Sequence, residues 1–377
     1  MKPFAPLLLL FAAISCAAQP PAPADPLAGA DLTQSPIVRG DTVTFHYAGP
    51  ARSVSWNGDF NGWGRADTIP NTGVYDSLRG VWVLTTRFPT TARTDYKIVV
   101  DGSRWILDPK NPRQQWGGAG PNSELRMPEW TPSPAEGQNV QIRGEIKGPF
   151  SIVSRSLGYT VRYQVYLPAG YMSLRGIPVL YVTDGHEYLD PNLGNLSHTA
   201  DWLIEQRRTK PFAIVAVDPR DPADPSKNRR MEELVRNDKY AAFITRELPA
   251  EIEALFNVRT DAAGKALMGT SLGGLFATWV YANHPGYFGN IAIQSPAYWV
   301  HMPIYEEMAI SRAGQAKIFL MAGTMFDGLE NTRRMKSVFE QKGVDLRYLE
   351  SHEGHSWGFW RSRIHEPLIQ FFPYASN

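Results

Sequence analysis

The stretch KALMGTSLGGLFATWV, residues 265–280, sets Ser271 among Gly269, Gly273 and Gly274, between two apolar runs. Glycine weakens the interior of a helix or strand, so three of them around one hydroxyl need a reason. KALMGT suits a strand, and LGGLFATWVYANH has helical spacing. Ser271 then sits on a tight strand-to-helix turn that leaves no room for side chains at Gly269 and Gly273. The spacing is G-x-S-x-G, the nucleophile elbow. A serine held this way can attack a carbonyl carbon once a base takes its proton. The Leu272 amide, at the start of the next helix, faces the negative charge that would develop.

The base and its acid are expected downstream, in the order serine, acid, histidine. KIFLMAG runs into TMFDGLENTRRM, which puts Asp327 just past a strand end. LRYLES runs into HEGHSWGFW, which puts His355 after a glycine in the following loop. Glu330, Asp345 and Glu350 are rival acids and His352 is a rival base, because side-chain aim decides which group arrives. Such a trio performs acyl transfer: the imidazole takes the Ser271 proton, and the carboxylate fixes its tautomer. A second oxyanion donor is expected after an earlier strand, where VLYVTDGHEYLD offers the amide of Gly185 or His186. Asp184, His186 and Glu187 match no zinc spacing and no H-E-x-x-H occurs. Neither metal nor cofactor is expected.

These groups need a scaffold. From about residue 140, short apolar runs (RYQVYLP, IPVLYVTDG, FAIVAVD, KALMGTS, NIAIQSP, KIFLMAG, LRYLES) alternate with helical segments near 198–208, 237–256, 272–284, 328–342 and 360–372. That alternation predicts a mostly parallel sheet with helices on both faces, an α/β domain over 140–377. Residues 35–130 read differently. DTVTFHYAG, RSVSWNGDF, GVWVLTTRF and DYKIVVDGS alternate or run apolar between Gly, Asn and Asp turns, and Asp101-Gly102 marks a hairpin. A small all-β, immunoglobulin-like sandwich is expected there, with residues 131–139 as linker. Residues 218–234 form a long polar loop.

The ends and totals bound the rest. Residues 1–18 read as an export signal: Lys2, then an apolar core at 6–14 too short to span a bilayer. Cys16, the one cysteine, sits where a lipoprotein would carry its lipid anchor, and plain cleavage near Ala17 or Ala18 fits equally. Residues 19–34 are a Pro/Ala-rich tether. An exported address follows: periplasmic, secreted or outer-membrane. Lys and Arg number 38 against 37 acids, so no basic excess invites nucleic acid. No later run approaches a membrane span. Oligomeric state is not legible.

From about 155 to 372 the chain resembles the esterase family that includes enterochelin (iron-siderophore) and feruloyl esterases. The motifs are YVTDGHEYL, NRRMEEL, LPAEIEALFNVRTDAAGKALMGTSLGGLFA, IQSPAYW, AGTMFD and GHSWGFWR. The resemblance implies an α/β-hydrolase fold and metal-independent hydrolysis of carboxylic esters, with Ser271, Asp327 and His355 on the triad positions. The acid loop is longer here than the family's short G-x-x-D form. Residues 35–130 resemble the E-set sandwich related to glycogen-binding modules, on SVSWNGDFNGW, GVWVLTTRFP, YKIVVDGSRWILDP and NPRQQWGGAGPNSELRMP. Trp56, Trp63 and Trp105 are sugar platforms or, the favoured reading, core aromatics. Tyr298, Trp299, Trp357 and Trp360 are candidates to line an aromatic pocket, or core. Arg229, Arg230 and Glu233 could grip an anion or pair with one another. NRRMEEL leans toward the siderophore-esterase branch. A feruloyl or acetyl-xylan esterase, an acyltransferase to sugar and an inactive glycan-binding protein are the alternatives. The expected partner is a small-molecule or glycan-linked ester.

Overall fold

The computed structural model describes residues 25–66 and 69–374. The expected export signal at 1–18, Cys16 and the first part of the tether lie outside the described residues.

Among the described residues the first part holds nine strands: β1 (Ile37–Arg39), β2 (Thr42–Tyr47), β3 (Val54–Gly58), β4 (Val74–Asp76), β5 (Val81–Arg87), β6 (Arg93–Val100), β7 (Arg104–Ile106), β8 (Gln114–Gly117) and β9 (Gly120–Arg126). They form one sheet of order β1-β2-β5-β4 and another of order β3-β6-β9-β8, with β7 on β6. Strand alternation fills the space between the sheets. Phe45 sits among Trp56, Phe60, Phe88 and Tyr96, with ring centroids 5.0 to 6.4 Å away. Trp56 is thus core, as favoured. Asp101 and Gly102, at φ 53° and 73°, turn β6 into β7 where the Asp-Gly pair predicts a hairpin. The described part of the tether lies on this region: Leu27 is buried, and Lys110 Nζ donates to the Leu32 carbonyl at 2.6 Å. Pro/Ala composition forecasts extended backbone but not where its carbonyls find donors.

The second part is an α/β-hydrolase fold. Its strands are β10 (Glu145–Val153), β11 (Thr160–Leu167), β12 (Val179–Val182), β13 (Ala213–Asp218), β14 (Lys265–Thr270), β15 (Asn290–Gln294), β16 (Lys317–Met325) and β17 (Asp345–Gly354). The order is β10-β11-β13-β12-β14-β15-β16-β17, with β11 antiparallel to both neighbours and the pairs from β13 to β17 parallel. Strand order reverses beside β12 and β14, the kind of switch point where open α/β sheets bind ligands. Helices α1 (Gly185–Leu189), α2 (Leu196–Glu205), α3 (Arg230–Leu234), α4 (Asp238–Ala242), α5 (Leu248–Leu255), α6 (Leu272–Asn283), α7 (Ile304–Ile310), α8 (Leu329–Gln341), α9 (Trp357–Arg363) and α10 (His365–Phe371) cover its faces. One buried cluster joins the sheet to α4–α8 and another joins it to α1, α2, α9 and α10. β10 escapes the apolar-run criterion because it is an exposed edge strand that turns only Phe150 and Ile152 inward. Among the described residues no helix is long and apolar enough to cross a membrane.

The two parts interlock. Met325, at the end of β16, is buried in the sandwich core. Phe326 lies against Gly62. On β6, Tyr96, Ile98 and Val100 enter the sandwich core, while Arg93, Asp95 and Lys97, on the opposite face by period 2, turn toward the hydrolase.

Candidate active site

The opening serine stands where the turn argument puts it. Ser271 follows β14, caps the N-terminus of α6 and holds φ 56°. A Cβ on Gly269 would strike the Gly273 backbone, and one on Gly273 would strike Thr183 Oγ1. The glycines therefore let strand, helix and the loop after β12 close on one another. Asp184, Ser295 and Phe326 also take positive φ, so the ends of β12, β14, β15 and β16 all carry a non-glycine residue in that region. Backbone strain of this kind gathers at functional sites.

His355 Nε2 lies 2.9 Å from Ser271 Oγ, and His355 Nδ1 lies 2.5 Å from Asp327 Oδ1. A carboxylate accepts only, so Nδ1 carries the proton and Nε2 is free to take the one on Ser271. Asp327 is buried, and its Oδ2 accepts from Ser295 Oγ at 2.6 Å and from the Gly323 amide at 2.5 Å. Ser295 Oγ in turn accepts from Trp360 Nε1 at 2.8 Å. The Trp360 ring stands edge-on to the imidazole, 5.0 Å away at 88°. Every rival is elsewhere. Glu330 and Glu350 bind Arg333, Asp345 is exposed, and His352 Nδ1 meets Thr91 Oγ1 at 2.8 Å. Ser356, next to His355, accepts from Arg93 at 3.0 Å and has no bond to the imidazole.

The sandwich holds the histidine loop from behind. Arg93 is fully buried and binds Asp95, Glu124 Oε1 (2.7 Å) and Ser356 Oγ. A Cβ at Gly358 would collide with its guanidinium, and a Cβ at Gly354 would collide with Asp59. His355 is thus bracketed by two glycines that admit charged side chains from the other domain. Asp59 accepts from the Asp95 amide at 2.9 Å and from Trp63 Nε1 at 3.2 Å. Burial pushes Asp59 up to about 6 and Asp95 up to about 7, against the attraction of Arg93. None of this was legible: in sequence, Arg93, Asp95 and Lys97 look like an ordinary solvated strand face.

A cavity of about 690 Å³ opens over Ser271. Glu187, Arg230, Ser271, His355, Trp357 and Trp360 form its hydrolase wall. Asp59, Trp63, Asp95, Lys97, Trp105 and the 117–120 turn form the facing wall. Trp63 and Trp105 therefore face the catalytic cavity, not the core favoured for them. Arg230 Nε donates to Asp184 Oδ1 at 2.8 Å and Trp357 Nε1 to Glu187 Oε2 at 3.1 Å. Burial and the nearby Asp184 raise the Glu187 carboxyl above its usual range. Trp299 is exposed, with its ring 5.7 Å from the imidazole.

Two expected substrate contacts are corrected. Tyr298 is fully buried and shares a 2.7 Å hydrogen bond with Thr278 Oγ1. Glu233 is also buried and does not line the cavity; Tyr159 OH donates to it at 2.9 Å. Both lie beside site residues in sequence but point into the core, because neighbours on a helical turn face different ways. Arg229 ion-pairs with Asp221 and covers the Tyr159 ring. For the oxyanion, no acceptor bonds the Leu272 amide among the described residues. Gly185 opens α1 after β12 with its backbone packed on Ala216 and Val217. The His186 side chain turns toward Asp218, 3.6 Å away.

Comparison with known proteins gives the same frame. Residues 154–371 match the family model described as “Putative esterase”. An uncharacterized protein of Bacillus subtilis, YjcH, is 26% identical over 231 residues, 57% of this chain and 91% of that protein. The ferric enterobactin esterase of Salmonella typhimurium superposes with TM-score 0.73 at 19% identity, covering 88% of this chain and 93% of its own. A ferulic acid esterase superposes with TM-score 0.53 at 18% identity, covering 61% of this chain and 98% of its own.

Proposed function

The chain belongs to the esterase family, and from that premise we propose that it hydrolyses a bulky aromatic ester of the siderophore type. The chain is a carboxylic ester hydrolase of the serine class. The observation that carries the mechanism is the pair of contacts joining Ser271, His355 and Asp327. His355 removes the Ser271 proton as Oγ attacks the ester carbonyl. Asp327, held by Ser295 and Gly323, steadies the imidazolium. The Leu272 amide and one from the Gly185–His186 turn hold the oxyanion, each worth about 3 kcal/mol. His355 then protonates the leaving alcohol, and water repeats the cycle on the acyl-enzyme.

The facing wall bears on substrate size. The enterobactin esterase likeness spans both domains, whereas the ferulic acid esterase likeness spans 61% of the chain. A cavity closed by a second domain suits a ligand larger than one cinnamoyl group. The E-set identity of the sandwich, a division near residues 131–139 and an exported address accompany this reading. The test is a panel of esters: p-nitrophenyl acetate, methyl ferulate, acetylated xylan and a cyclic catecholate-serine triester with and without iron. The triester is expected to give the highest kcat/KM. Preference for methyl ferulate or xylan would move the chain to the plant-polysaccharide branch.

A further inference from the structure

The charged groups lining the cavity are matched, with one exception. Asp95 is bound by Arg93, Asp59 by the Asp95 amide and Trp63, Glu187 by Trp357, and Arg230 by Asp184. Lys97 lines the same cavity, half-buried, and its side chain makes no ion pair or hydrogen bond among the described residues. Its place on a central strand fixes its base, and its ammonium is free to meet an anion in the cavity. Trp63 and Trp105 also line this wall, their centroids 6.4 Å apart and their planes tilted by 32°. The Trp63 indole is pinned through Nε1 to Asp59, and Trp105 is 45% exposed. Together the two indoles give this wall a ring-sized apolar surface.

We propose that Lys97, Trp63 and Trp105 form a subsite for a negatively charged aryl group of the substrate, on the wall opposite Ser271. The ring lies on the indole platform and its anionic substituent meets the Lys97 ammonium. This subsite rests on the reading of the cavity as the ester-binding site, and it assigns the sandwich a share in specificity. Neutral rings gain the platform alone. Charged rings gain a charge-assisted hydrogen bond as well.

The test uses the full chain and an isosteric pair of probes, 2,3-dihydroxybenzoate and 2,3-dihydroxybenzamide, in titration calorimetry. The unsubstituted protein is expected to bind the carboxylate about tenfold more tightly than the amide. Lys97→Gln abolishes that preference, Lys97→Arg restores most of it, and Trp105→Ala weakens both probes several-fold. Thermal melting checks that each variant folds. Equal binding of both probes, binding of neither, or equal losses for both in Lys97→Gln overturns the subsite. A Lys97-dependent preference without triester hydrolysis keeps the subsite and removes the siderophore reading. Triester hydrolysis without the preference does the reverse.

Discussion

The hydrolase wall carries its chemistry on loops just past parallel strand ends, whereas the sandwich wall carries its charged groups on the middle of one strand, β6, and on the Asp59–Asn61 turn. The first arrangement allows strain: Ser271, Asp184, Ser295 and Phe326 all sit at positive φ. The second is periodic, with Arg93, Asp95 and Lys97 spaced by two. A loop can aim one nucleophile, but a strand face can brace a neighbouring domain along its length. The difference teaches a division of labour in which one wall carries the reactive trio and the other braces its histidine loop.

The largest effect lies on the reacting wall. Ser271→Ala lowers kcat by about 10⁴-fold or more, with a melting temperature close to the parent's. Retention of turnover would erase the distinction between the walls. The next effect crosses the interface. Arg93→Met leaves Asp95 buried without its cation and Glu124 with Arg126 alone, costing about 3–5 kcal/mol of stability. The loss of its bond to Ser356 also loosens the histidine loop, so kcat falls by about 10²-fold while KM for p-nitrophenyl acetate changes little. Ser356→Ala, which spares the ion cluster, should repeat the kcat loss at a few-fold. A normal kcat in both would make the sandwich a passive neighbour.

How much of this was legible follows from the same contrast. Ser271, Asp327 and His355 could be read because each sits at a fixed offset from an apolar run, and the nucleophile-elbow pattern carries its acid and histidine downstream in that order. Asp327 stood among rivals until its aim was visible, since sequence carries offset but not direction. Ser295 and Trp360, which fix that carboxylate and imidazole, had no local signature; the hint was their place at a strand end and after the histidine. Strands β11 to β17 were visible as apolar runs, and the edge strand β10 was not. Trp63 and Trp105 were misplaced because an aromatic in a sandwich has the same spacing whether it faces the core or a neighbour. Arg93 and Lys97 were invisible because burial by a second domain leaves no mark on a strand's own period.

The smallest effect concerns a residue on neither wall. Burial pushes Glu233 up to about 8 from its ordinary 4.5. The folded state thus holds this proton more tightly than the unfolded chain. That stabilisation is complete below about pH 4.5 and is lost as pH climbs through 8. Glu233→Gln keeps a neutral group at every pH. Its unfolding free energy should therefore fall less than the parent's between pH 5 and 9, by a few kcal/mol, as denaturant titration at each pH reads it. Parallel curves would place the Glu233 carboxylate in a better-solvated setting, closer to a binding role.

The most direct measurement is reaction of the full chain with a fluorophosphonate, followed by intact mass and peptide mapping. One phosphonyl group on Ser271, with loss of esterase activity in proportion, is the predicted result. Labelling of Ser295 or Ser356 instead, or full activity after Ser271 is modified, would contradict the assignment of the nucleophile.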